Sequence, residues 1–131
     1  GGDMWSELAL FANQASHTSE RAIAEKRDIL VRTLAAYGRL YRFLQRPESR
    51  DPFVNGYLAR SKSAQASEPL SQWNFYQKFR PYAVNLVLTS EHVRYVQELN
   101  VAMGLQKAVL PFDTVADMSL ARDAIKLIGP A

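Results

Sequence analysis

Only a few side chains in this sequence combine the type and the spacing that chemistry needs. His17 and His92 are its two histidines, and neither has a second histidine four residues on to form the pair that a helix-borne zinc site uses. Asp113 and Asp117 lie four apart among apolar neighbours. They could hold a hard cation together, or Asp117 could cap the last helix while Asp113 sits in a solvated turn. Two carboxylates fall short of the roughly six to eight oxygens that calcium takes, which favours the cap.

Arg32, Arg39, Arg42, Arg46 and Arg50 make a basic edge, the footprint through which an interaction module would bind an acidic partner or nucleic acid. Asp28, Glu48 and Asp51 interrupt that edge, and the aromatics, 11% of the chain, fall mainly on apolar faces. A solvated helix face is preferred, and nucleic acid is not expected as a partner. Asn100 stands between Val96 and Met103 on an otherwise apolar face. It could touch a ligand, or satisfy backbone groups of the loop that follows, and the second reading is preferred. There is no glycine-rich phosphate loop, no defensible Ser/His/Asp arrangement and no cysteine, so neither a disulfide framework nor a thiolate metal site can form. The chain is read as no enzyme, with no catalytic residue, no metal and no cofactor.

What would position these residues is a set of helices. With 131 residues and 14.8 kDa the chain has the size of one domain. Its formal charge of +3, despite an isoelectric point near 9.3, is a mild basic excess. No stretch approaches the roughly 18 to 20 apolar residues that span a bilayer. The strongest periodicity runs from Asp28 to Gln45, where Leu30, Thr33, Leu34, Tyr37, Tyr41 and Leu44 recur at three- and four-residue steps. Spacing and capping residues predict helices over 19–26, 28–45, 52–60, 68–79, 90–103 and 118–128. In the last of these Ala121, Ala124, Ile125 and Ile128 share a face, Asp117 or Ser119 can cap the start, and Gly129 with Pro130 ends the run. Residues 8–15, "LALFANQA", read as a short strand, 60–67 as a polar linker, and "VLPFDT" as a loop that packs by its apolar residues. The fold class is mainly α, five or six helices with one short N-terminal strand.

The order of these pieces carries a resemblance. "ELALFANQAS" precedes a charged break, "AEKRDI", and a long helix with an alanine-aromatic centre, "LVRTLAAYGRLYRFL"; the turn "RPESRDPF" follows, then "LTSEHV", "MGL" and "VADMSLARDAI". Over about residues 8–128 this resembles the C-terminal part of the nitrate/sulfonate/taurine-type periplasmic substrate-binding proteins, which share a fold with thiamine-pyrimidine synthesis proteins. The resemblance implies that residues 1–131 form one C-terminal domain or fragment of a two-lobed α/β receptor, with the lobes that carry the parallel sheets absent. It implies a non-catalytic, periplasmic or extracytoplasmic role, with a small anion or related nutrient as solute and the membrane subunits of an ABC importer as partners. It implies ligand contacts at Asn13 and Ser16, most others lying in the absent lobes. With its cover missing, the N-terminal strand or the closing helix is expected to pair with a second copy, making a homo-oligomer.

Overall fold

The computed structural model describes residues 7–12, 14–61 and 65–131. Among them the chain is mainly helical: α1 (Glu20–Leu44), a 3-10 turn (Pro47–Ser49), α2 (Arg50–Arg60), α3 (Ser67–Phe79), α4 (Ser90–Ala102), α5 (Phe112–Val115) and α6 (Ser119–Ile128).

The two helices expected over 19–26 and 28–45 meet at a kink inside α1. Ser19 starts α1, its hydroxyl accepting the Ala22 N–H at 3.1 Å, a standard cap that satisfies one of the first free donors. Lys26 leaves the helical basin (φ −132°, ψ 26°), so the break read from the charged "AEKRDI" is a kink within α1 rather than a gap. The helix stops where Arg46, ahead of Pro47, turns extended (φ −92°, ψ 133°), as a residue before proline prefers.

The closing helix lies along α1. Val31 and Ala35 of α1 meet Leu120 and Ala124 of α6 in the buried core, with Ile23, Leu30, Leu34, Leu86 and Ile128 packed around them. Alanine and glycine at the seam let the two backbones approach closely: a Cβ on Gly38 would lie 2.6 Å from Ile128 Cδ1. Arg27, just past the kink, adds a polar clasp, donating to Asp123 Oδ2 at 2.6 Å and to the Ser119 hydroxyl at 3.0 Å. Asp117 takes the role of start signal, accepting the Ser119 N–H at 2.8 Å.

A second cluster is aromatic. α2 packs on α3, and the rings of Phe53, Tyr76, Tyr82 and Tyr41 run in contact from α2 through α3 to α1. Trp73 joins through its indole N–H, donated to Ser49 Oγ at 3.3 Å. Arg80 ends α3 in the left-handed conformation (φ 43°) ahead of Pro81.

The third unit is α4 with the loop that returns along it to α5. Thr89 caps α4. Gly104 (φ 73°) closes it, the N–H groups of Gly104 and Leu105 donating to the carbonyls of Val101 and Asn100, the paired bonds of a Schellman ending. Two sequence expectations change. Among the described residues there is no β-strand: 8–10 form a turn closed by the Phe11 N–H on the Leu8 carbonyl at 2.8 Å, and 14–19 are irregular. An apolar run that short carries no periodicity to separate strand from turn. The "VLPFDT" loop ends in the short α5, and Val109 and Leu110 stay largely exposed instead of packing inward.

Candidate functional site

Of the two residues assigned to ligand contact, Asn13 lies outside the described residues, and Ser16 is exposed in the irregular segment before α1. That segment nonetheless borders a concavity. Ala12 and Ala15 line an open hollow of about 330 Å³ with Leu88, Val93, Val96, Leu110 and Val115, at the small end of ligand-site volumes. Its polar groups are the amides of Gln97 and Gln106. On the other side of Leu110 a second hollow of about 600 Å³ is bordered by Glu91, Arg94, Val109 and Phe112.

Gln97 is the organiser of this region. Its Oε1 accepts the Leu110 N–H at 2.9 Å and the Gln106 amide at 2.7 Å, while its Nε2 donates to the Leu110 carbonyl at 3.2 Å. Gln106 also reaches the Ala108 carbonyl at 2.6 Å. These amides are occupied in holding the loop, so the hollow offers shape and apolar contact, with no acid, base or nucleophile among the described residues that line it. The role foreseen for the side chain of Asn100 belongs to Gln97, three residues earlier, and Asn100 serves the loop through its backbone carbonyl.

The other sequence candidates scatter. His92 belongs to the α4 cap, its Nδ1 2.5 Å from the Thr89 hydroxyl, while His17 is exposed in the segment before α1. Asp117 lies one residue ahead of the Met118 N-cap of α6, and the hydrogen bonds from Ser119 hold its carboxyl below the usual range; Asp113 is exposed on α5. Among the described residues no three of His, Asp and Glu gather where a metal could sit.

The arginine edge is broken up by its own contacts. Arg32 pairs with Asp28 and Arg50 with Asp51. Arg42 turns inward and donates to the carbonyls of Val84 at 3.2 Å, Ile128 at 3.1 Å and Gly129 at 2.7 Å. It thereby caps the C-terminus of α6, where a cation also meets the negative end of the helix dipole. Arg39 and Arg46 remain exposed.

Sequence reading missed the residues that organise the loops, because buried glutamines leave no periodic signal. Gln45 holds both backbone groups of Tyr82, at 3.0 and 3.2 Å, and Gln77 donates to the Leu44 carbonyl at 2.9 Å. Tyr82 is the most perturbed phenol: burial, then a hydrogen bond with Tyr76, pushes it up to about 12. Burial, with Tyr37 and Tyr82 adding to it, raises Tyr41 as well. No family model matches the chain, and neither a curated protein nor a solved structure matches it.

Proposed function

We propose that this chain is the C-terminal helical segment of an extracytoplasmic solute-binding protein, a non-catalytic receptor that delivers a small anion or related nutrient to the membrane subunits of an ABC importer. The resemblance in element order motivates the reading, and one physical observation carries it. The chain exposes 9429 Å² of accessible surface, whereas a compact monomer of its mass exposes about 7,000 Å². Ile29, Leu40 and Tyr37 on α1, and Met103, Leu105 and Leu110 after α4, all stand in solvent. Apolar groups at this density are what a helical segment presents when it is shaped to lie against further layers.

In this reading the sheet-bearing lobes of the parent cover those faces and supply most ligand contacts, and the segment around Asn13 and Ser16 completes the ligand site. Among the described residues no helix is long and apolar enough to cross a membrane.

The test is a thermal-shift titration of the full-length parent protein against nitrate, alkylsulfonates and taurine, with this chain alone as a control. A saturable rise in Tm of the parent, absent from the control, supports a receptor. A parent that no member of the panel stabilises overturns it.

A further inference from the structure

We propose that Tyr41 and Tyr82 form a pre-aligned oxidative modification site, at which a peroxide-driven one-electron oxidant joins α1 to the segment after α3 through a dityrosine bond. The two rings are parallel within 1°, with centroids 4.6 Å apart. Their rings lie nearer than those of Tyr37–Tyr41, at 5.9 Å, or Tyr76–Tyr82, at 5.4 Å. Offset stacking of this kind is ordinary aromatic packing. What sets this pair apart is that both rings carry phenols and that their register is enforced. Gln45, one helical turn beyond Tyr41, holds the N–H and the carbonyl of Tyr82 together, so Tyr82 cannot slide along α1 without breaking two hydrogen bonds.

An entry route for the oxidising equivalent is built in. Tyr37 is 45% exposed and stacks on Tyr41, which places four tyrosines in series from solvent inward: Tyr37, Tyr41, Tyr82 and Tyr76. The chain has no cysteine to intercept the oxidant first. At neutral pH both members of the pair are protonated phenols, their burial having raised them.

Each phenol gives up one electron and one proton, leaving two phenoxyl radicals whose spin density rests partly on the ring carbons beside the oxygen. Those carbons form the new carbon–carbon bond. The hydrogen on each then moves to its oxygen, restoring two phenols. Hydrogen peroxide accepts the two electrons and two protons and becomes two waters, so two tyrosines and one peroxide yield one dityrosine and two waters. The bond closes a covalent loop around α2 and α3 and fixes the aromatic cluster to the long helix. This site stands whether the receptor reading holds or falls.

The test treats the purified chain, at a concentration that holds bimolecular coupling down, with a haem peroxidase and hydrogen peroxide. Dityrosine fluorescence and mass spectrometry with peptide mapping follow the product. The expected product is monomeric, lighter by two hydrogen atoms, with Tyr41 and Tyr82 in one cross-linked peptide and a Tm raised by roughly 10 °C. Tyr41→Phe and Tyr82→Phe keep the stacked rings, so circular dichroism stays that of the parent chain while the cross-link is lost. A dityrosine that persists in Tyr82→Phe, one that forms chiefly between chains, or none at all overturns the proposal.

Discussion

A buried glutamine can serve both polar groups of a single peptide unit, and Gln97 does this for Leu110 while also accepting from Gln106. Replacing it by leucine keeps the volume and leaves the Leu110 N–H and carbonyl without their partner. The expected cost is about 1–3 kcal/mol, read as a lower urea midpoint with an unchanged m-value. Charge enters the stability through Asp123, whose carboxyl is held down to about 2 by hydrogen bonds from Arg27 and then Lys126. Its folded pKa lies below its unfolded value near 3.8, so its contribution is fully present above that value and is lost as the pH falls through about 2. Urea unfolding of the parent chain and Asp123→Asn should therefore differ at pH 5 and converge as the pH drops toward 2. Tyr82 works in the opposite sense. Its phenol stabilises below its unfolded value of 10.0, and that contribution is lost as the pH rises through about 12.

At the scale of elements, the α1–α6 seam answers what the apolar face of the closing helix covers: the long helix of its own chain. Ala35 is 2% exposed and Ala124 fully buried, so at these two positions the seam has no room for a larger side chain. Ala124→Leu is expected to cost about 1–3 kcal/mol through overpacking, lowering Tm and exposing α6 to limited proteolysis first. This pairing was partly legible in the sequence, since Ala121, Ala124, Ile125 and Ile128 at helical spacing mark a face, and Leu30, Thr33, Leu34, Tyr37, Tyr41 and Leu44 mark another; yet the residues of α1 buried against α6 are Val31 and Ala35, with Leu30 and Leu34 beside them and Thr33 and Tyr37 exposed. What the pattern could not convey was the partner, because a period identifies a face and leaves unstated which other face it meets. The start of α1 was legible because Ser19 is a chemical signal. The kink at Lys26 was legible as well, as the charged break between the helices expected over 19–26 and 28–45. Arg42 shows the same limit within the candidate site. It reads as one more charge on a basic edge, yet its guanidinium serves carboxyl-terminal carbonyls of a helix 86 residues away in sequence, a placement that only tertiary packing fixes.

At the scale of the molecule, burial among the described residues is divided between the α1–α6 core, the aromatic cluster of α1, α2 and α3, and the loop held by Gln97 on α4. Ile29, Tyr37, Leu40 and Phe43 line a second side of α1, all of them exposed, while Val31 and Ala35 face α6. The sequence reading assigned self-pairing to residues 5–15 or to the closing helix. With α6 seated on α1, this second side of the long helix is left open. Covering a large apolar side chain is worth about 1.5–3 kcal/mol, so several of them together give an isolated chain reason to associate at high concentration. The expected result in sedimentation is a weight-average mass that climbs with concentration. Leu40→Lys combined with Phe43→Lys should suppress the climb without loss of helicity, because surface substitutions away from caps and cores change stability by only about 0.5 kcal/mol. If the proposed receptor reading holds, a full-length protein whose lobes cover the same face should sediment as a monomer throughout. An isolated chain that stays monomeric at every concentration would show that this apolar side tolerates water, and would remove the main physical support for a covering lobe.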